Sequence, residues 1–251
     1  MYTLFAAIVT LVGTIVLGGL VLLFSVLRVP DRPGSFYEKA PRWWARAILA
    51  VSRTKVEVHD PHGYMAGDAP RIFVSNHLSW YDVLALATVL PRYKFIAKAE
   101  LAKVPLFGRA AGAAAVIYIE RENRKQAFET YRTAATQIQD GCSVVVYPEG
   151  TRGTTYELRP FKKGPFVLAV AAGVPIVPTV VYGQIEVLPK GSLWVRPGTI
   201  HVYPLAPVPT AGLDYDDRDA LMREVHGRMA QALEARFGIA IAPPDAITQE
   251  A

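Results

Sequence analysis

RIFVSNHLSWYDVLALATVL, residues 71–90, is the stretch on which the fold turns. Its first part, RIFVSN, reads as a buried strand. Its second part, WYDVLALATVL, reads as a helix. Ser79, with Asp82 three residues later, matches a helix capping box. A strand that passes so quickly into a helix is the unit of an α/β fold.

The same alternation extends in both directions. VEVHD precedes it as a short strand. KFIAKA and AAAVIYIE follow as strands, then a helix through Gln126–Asp140. CSVVVYP is a strand, FVLAVAAG is helical, and VPIVPTVVY and TIHVYPL are strands again. DYDDRDALMREVHGRMAQALEARFG closes the series as a packing helix. Leu221, Val225, Met229 and Leu233 fall at helical spacing, acidic residues begin it and Gly238 ends it. His226 on this helix reads as structural. The fold class expected is α/β, a single domain with a mostly parallel or mixed central sheet flanked by helices, preceded by an N-terminal membrane-associated helical segment.

That segment occupies residues 1–53. From Tyr2 to Leu27 no residue is charged, and 26 helical residues would measure about 39 Å against a hydrocarbon core of about 30 Å. The start MYTLFAA has no basic side chain and the run ends VLRVP without a small-residue cleavage pattern, so a retained anchor is expected rather than a secretory signal. A cationic belt follows. Arg28, Arg32, Lys39, Arg42, Arg46, Arg53 and Lys55 face only Asp31 and Glu38, which accounts for the chain's net charge of +5. Such a belt beside an apolar segment points to anionic lipid headgroups before nucleic acid, and by the positive-inside tendency it sets the body on the cytoplasmic side of the inner membrane. PRWWARAILAVSR suits a helix lying in the headgroup layer. The first segment either spans the bilayer or dips in and pairs with that second helix. Residues 54–240 form the expected catalytic domain and 241–251 a flexible tail. The lone cysteine, Cys142, excludes an intrachain disulfide and reads as a core thiol.

Two constellations carry chemistry. His77 ends the strand RIFVS, where open α/β sheets bind ligands. Its pKa range suits proton transfer, and a carboxylate on its second ring nitrogen would fix the tautomer. Asp82 is the candidate partner. The competing reading leaves Asp82 to cap the helix and makes His77 a loop residue; the spacing admits either, or both together. Ser79 lacks the Gly-x-Ser-x-Gly turn of a hydrolase nucleophile. His59, His62 and His201 show no second ligand at metal spacing, so no metal is expected. The second constellation is YPEGTRG, residues 147–153. Gly150 lets backbone approach a ligand closely, and Arg152 can grip phosphate bidentately. Arg121, Arg159, Lys162 and Lys163 add positive charge near strand ends.

Together these blocks resemble the glycerolipid acyltransferases, in particular the bacterial 1-acylglycerol-3-phosphate acyltransferases. NHLSWYD is similar to their N-H-x4-D motif, KAELAKVPLFG to their Lys-x-Glu-Leu segment, VIYIER to their second motif, YPEGTRG to their third and VPIVP to their fourth, over about residues 70–182. Ala115, Glu120, Tyr147 and Gly153 stand where that family usually has Gly, Asp, Phe and Ser. The resemblance implies His77 as general base with Asp82 as its partner. It implies Lys98, Arg121, Glu149, Gly150, Thr151 and Arg152 around the acceptor's phosphate and glycerol, and Pro175 on the acyl-donor side. It implies transfer of an acyl group from acyl-CoA or acyl carrier protein to the 2-hydroxyl of lysophosphatidic acid, giving phosphatidic acid, with no cofactor. Rival expectations are another lysolipid acceptor such as a lyso-ornithine lipid, a membrane-attached hydrolase, and a non-catalytic lipid-binding protein.

Overall fold

The computed structural model describes residues 2–120 and 124–241. Arg121 and the expected tail from residue 242 onward lie outside the described residues.

At the N-terminus, α1 (Tyr2–Gly13), a π-helical turn (Thr14–Gly18) and α2 (Gly19–Val26) form one helix of 25 residues, long and apolar enough to cross a membrane. One side packs on α3 (Phe36–Val51). Gly13 makes this approach possible, since a Cβ there would fall 2.6 Å from Cδ1 of Trp44. The Trp44 indole N–H donates to the Thr10 carbonyl at 3.3 Å. The opposite side exposes Leu4, Ile8, Leu11, Ile15 and Leu23. Both ends are tied to the body. Thr3 Oγ1 accepts from the Val195 N–H at 2.9 Å, and just past α2 the Val29 carbonyl accepts from the Tyr37 hydroxyl at 3.0 Å. The helix therefore lies along the body. Ala6, Val21, Ala40, Ala45 and Ile48 share one core with the sheet residues Phe73, Val145 and Val177. Residues 2–53 thus pack against the sheet.

The body alternates β1 (Thr54–Val58), β2 (Ile72–Ser75), α4 (Trp80–Val89), β3 (Tyr93–Lys98), α5 (Phe107–Ala114), β4 (Val116–Ile119), α6 (Arg124–Gln139), β5 (Ser143–Val146), α7 (Gly164–Ala172), β6 (Ile176–Tyr182), α8 (Gln184–Val187), β7 (Gly198–Pro204) and α9 (Arg218–Phe237). The seven strands lie in the order β1-β7-β6-β2-β5-β3-β4. All neighbours are parallel except β6 and β7. Each face of a parallel sheet must be covered, which explains the unbroken apolar runs in its central strands. Phe73, Phe95, Val145 and Val177 point to the layer of α3, α4 and the N-terminal helix. Ile72, Val74, Ile96, Val144, Val146 and Ile176 point to the layer of α6, α7 and α9.

One element differs from expectation. AAAVIYIE is a strand only over Val116–Ile119, and the alanines before it finish α5. Alanine is the best helix former, and the β-branched residues begin only at Val116. The small face of α5 also serves packing. A Cβ on Gly18 would lie 3.2 Å from the Ala110 Cβ.

Between the N-terminal helix, α3, α4, α5 and β3 is an apolar cavity of about 120 Å³, lined by residues including Gly18, Trp44, Leu84, Phe95, Ala110 and Ala114.

Candidate active site

Strands β2, β5, β3 and β4 run parallel, so their carboxyl ends form one rim. His77 follows β2, Glu149 to Arg152 follow β5, and Lys98 ends β3. The turn after β2 is held by Asn76, which sequence reasoning passed over. Asn76 is buried; its amide donates to the Val181 carbonyl at 2.9 Å and its oxygen accepts from the Val181 N–H at 2.8 Å. The side chain thus copies a strand's hydrogen bonds, locking the end of β2 to β6. Its sequence signal was its place as the Asn of NHLSWYD, immediately before His77.

Asp82 does both things that its spacing allowed. Its Oδ2 accepts from the backbone N–H groups of Leu78 (2.8 Å) and Ser79 (2.9 Å), while Ser79 Oγ accepts from the Tyr81 N–H at 3.1 Å. This is the capping box that starts α4. The same carboxylate lies 3.0 and 3.1 Å from His77 Nδ1. Asp82 is fully buried and the His77 side chain is 15% exposed. A carboxylate oriented by two backbone donors holds the ring nitrogen it faces, and leaves Nε2 as the nitrogen that can act on a substrate. The Tyr147 ring stacks on His77 at 4.1 Å between centroids, and Phe95 stacks beyond it at 6.3 Å. Since Phe95 also lines the apolar cavity, two aromatic layers separate that cavity from the imidazole.

The second constellation is tied to the first by backbone. The Gly153 N–H donates to the His77 carbonyl at 2.8 Å. A Cβ on Gly153 would approach Leu78 Cδ2 at 2.8 Å, so a side chain there requires the end of Leu78 to shift. Gly150 has φ 76°, a left-handed conformation that glycine adopts without strain. The Arg152 guanidinium lies 5.0 Å over the Trp80 ring, at the first turn of α4. His77 and Arg152 therefore sit on the same rim, one on each of two loops joined by a hydrogen bond. Thr151 is exposed beside them, and its carbonyl accepts from Arg159 Nη1 at 3.2 Å.

Glu149 faces inward. It is 3% exposed, and its oxygens accept from the His77 N–H at 3.0 Å and the Arg159 N–H at 3.4 Å. Its carboxylate braces the loop that carries His77; it does not open toward a substrate. Burial pushes its pKa up to about 7, against the pull of the two backbone donors and of nearby His77 and Arg159. The unfolded chain ionises this group near the ordinary glutamate range, whereas the folded chain keeps the proton until about pH 7. Native stability is therefore greatest below that ordinary range and falls as pH rises through about 7, by roughly 3 kcal/mol for a shift of this size. Glu149→Gln should remove this slope. Denaturation midpoints of both proteins from pH 4 to pH 9 test it, and parallel curves would refute the assignment.

The remaining candidates divide. Lys98 stands at the carboxyl end of β3, exposed and two strand spacings, about 10 Å, from β2. Pro175 is not brought to the rim. It precedes β6 and its carbonyl accepts from the Ile72 N–H at 3.1 Å, at the amino end of β2 and about 13 Å of strand away from His77. A motif at the start of a strand parallel to β2 must lie at the opposite end from a residue that follows β2. His226 is buried with its ring edge on Phe161 at 4.7 Å, inside the α9 layer. His59 and His201, which showed no metal spacing in sequence, meet through the pairing of β1 with β7.

Comparison with known proteins agrees with this architecture. A family model described as Acyltransferase matches residues 55–182, about half of the chain. The chain is 39% identical over 177 residues to 1-acyl-sn-glycerol-3-phosphate acyltransferase alpha of Homo sapiens, covering 70% of this chain and 62% of the relative. It is 32% identical over 187 residues to the chloroplastic 1-acyl-sn-glycerol-3-phosphate acyltransferase BAT2 of Brassica napus, covering 74% and 53%. The matched stretch thus spans between about half and two thirds of these relatives. Its fold is that of the crystal structure of the 1-acyl-sn-glycerophosphate (LPA) acyltransferase PlsC from Thermotoga maritima, with TM-score 0.76, 24% identity and coverage of 95% of this chain and 97% of that one.

Proposed function

Because this chain belongs to the acyltransferase family, we propose that it moves a fatty acyl group from a thioester donor, acyl-CoA or acyl carrier protein, to the 2-hydroxyl of 1-acylglycerol-3-phosphate. The observation that carries the reading is the shared rim: an Asp82-held imidazole and the Arg152 loop, joined by the Gly153–His77 hydrogen bond. In this mechanism His77 Nε2 removes the proton of the 2-hydroxyl as its oxygen attacks the thioester carbonyl carbon. Asp82 stabilises the imidazolium that results. The tetrahedral oxyanion collapses, the carbon–sulfur bond breaks, and the departing thiolate takes the proton from His77. The products are phosphatidic acid and the free thiol. Arg152, with Lys98 and Thr151 on the same rim, holds the phosphate and glycerol, while Glu149 positions the His77 loop. The acyl chain reaches the apolar cavity when the Tyr147 and Phe95 rings that close it off from His77 turn aside.

The same reading gives a location. The apolar face of the N-terminal helix and the exposed Trp43 on α3 enter the inner membrane. The basic belt keeps the domain on its cytoplasmic face. A lipid acceptor and a lipid product then never leave the leaflet.

The test is a panel. Purified protein and Arg152→Ala receive acyl-CoAs of increasing length with lysophosphatidic acid and with a lyso-ornithine lipid. Loss of one charge-assisted phosphate contact should reduce kcat/KM for lysophosphatidic acid by about 10–100-fold. A length beyond which donors fail would support the cavity assignment. Equal loss with the acceptor that lacks phosphate would remove Arg152 from phosphate binding. Transfer to the ornithine lipid alone would move the substrate but keep the chemistry.

A further inference from the structure

The second cluster of titratable side chains lies on the free edge of the sheet. β1 is an edge strand whose one neighbour is β7. Glu57 and His59 are two residues apart, so they project on the same face, and Glu57 is the direct register partner of His201. The ladder continues past β1, where the His59 N–H donates to the Val202 carbonyl at 2.8 Å. In consequence His59 Nε2 comes within 3.0 Å of His201 Nδ1, and Glu57 Oε2 within 3.4 Å of the same nitrogen. One ligand atom from each residue lies within 4.8 Å of the other two.

We propose that Glu57, His59 and His201 form a surface site for a transition-metal dication that clips edge strand β1 to β7. Two imidazoles and a carboxylate are a donor set for Zn2+ and its neighbours, not for Mg2+ or Ca2+, which take oxygen ligands. Two donors at about 2.0–2.1 Å from a tetrahedral ion stand about 3.3 Å apart. The 3.0 and 3.4 Å separations bracket that value, and the third pair lies within 4.8 Å. The ring of His59 is already oriented, stacked on Tyr203 at 4.4 Å and 8°. Tyr203 is fixed in turn by the edge of Phe237 at 5.6 Å. The Arg236 guanidinium lies over the Tyr203 ring at 4.8 Å. The nearby Asp60 is not a fourth ligand, because both its oxygens accept from the backbone N–H groups of Tyr64 and Met65 at 2.8 Å. Water completes the coordination on the open side, since Glu57 and His59 are exposed. The site joins β1 to β7, and β6 stands between β7 and the strand that leads to His77, so its work is structural: it fastens the strand that follows the N-terminal helices.

The experiment uses the full chain in detergent, without a histidine tag, and Zn2+ alone in competition with a chromophoric chelator. Wild type should bind one equivalent that His59→Ala and His201→Ala each weaken by about tenfold or more, a loss of at least 1.4 kcal/mol. His62→Ala, a neighbouring histidine outside the cluster, should bind as wild type does. Zn2+ should raise the wild-type Tm and slow amide exchange of residues 54–58, with neither effect in His201→Ala. Transfer measured without added metal should be equal in wild type and His201→Ala. Superimposable titrations of wild type and the His59→Ala, His201→Ala double variant would overturn the proposal, as would binding unaffected by either single change.

Discussion

His77→Ala is expected to lower kcat for acyl transfer by about 10²–10⁴-fold, the range supplied by a positioned general base. The reason is geometric. His77 Nδ1 faces both Asp82 oxygens, and the side chain is 15% exposed, so Nε2 is the nitrogen left to meet a hydroxyl. A lysolipid's 2-hydroxyl is a poor nucleophile at neutral pH, and the free ring nitrogen of His77 is the acceptor on the rim placed to take its proton. Folding should survive the change. The contacts that hold this loop are made by the His77 backbone, whose N–H donates to Glu149 and whose carbonyl accepts from Gly153. Asn76 makes its own clamp to Val181. The ring's packing partner is Tyr147 on one face. Removing it leaves the buried Asp82 carboxylate with its two backbone donors but without its ring partner, so Tm should fall by a few degrees, not collapse. Single-turnover transfer to lysophosphatidic acid, measured beside a thermal melt in the same detergent, separates the two effects. A folded variant turning over within threefold of wild type would remove His77 from the chemistry.

Much of this site was legible because strand ends and loops are written locally. A buried β2, a capping box and a histidine between them occupy eleven consecutive residues, and the order strand–loop–helix puts such a histidine on a sheet's carboxyl rim whatever the strand order is. The direction of Glu149 was not legible. Its place in YPEGTRG beside Arg152 suggests a ligand contact, but only the pairing of β5 with β2 reveals that the His77 N–H is the donor its carboxylate meets. The distance of Pro175 from the rim was hidden for a related reason. A motif's order along the chain carries no information on which end of a parallel strand it occupies, and VPIVP straddles the start of β6. The Glu57–His59–His201 cluster joins residues up to 144 positions apart through a register that no local pattern encodes. The N-terminal helix shows the opposite case. Its length was plain, yet its attachment at both ends depends on Thr3 meeting Val195 and Val29 meeting Tyr37. Those contacts favour a helix lying against α3 over a free span.

Asp82→Asn should cost about as much activity as the loss of His77 itself, about 10²–10⁴-fold in kcat, while leaving α4 in place. Asp82 accepts three hydrogen bonds, from the Leu78 and Ser79 N–H groups and from His77 Nδ1. Asparagine has one acceptor oxygen and two donors, so it cannot satisfy all three. If its oxygen keeps the two backbone donors, its NH2 faces His77 Nδ1. The imidazole must then carry its proton on Nε2, the wrong nitrogen for a base. If the oxygen turns to His77 instead, the NH2 opposes two backbone N–H groups in a fully buried place, at a cost of about 1–3 kcal/mol each. The first arrangement is the less costly, and it spares the fold at the expense of the tautomer. Ser79→Ala supplies the contrast. It removes the acceptor for the Tyr81 N–H and the donor to the Leu188 carbonyl, and should lower stability by about 1–2 kcal/mol. Its kcat should stay near wild type, because Ser79 does not touch the imidazole. Measuring kcat and Tm for both variants therefore separates the carboxylate's two tasks. An Asp82→Asn protein with wild-type kcat and a lowered Tm would reduce Asp82 to a helix cap and leave His77 to act without a partner.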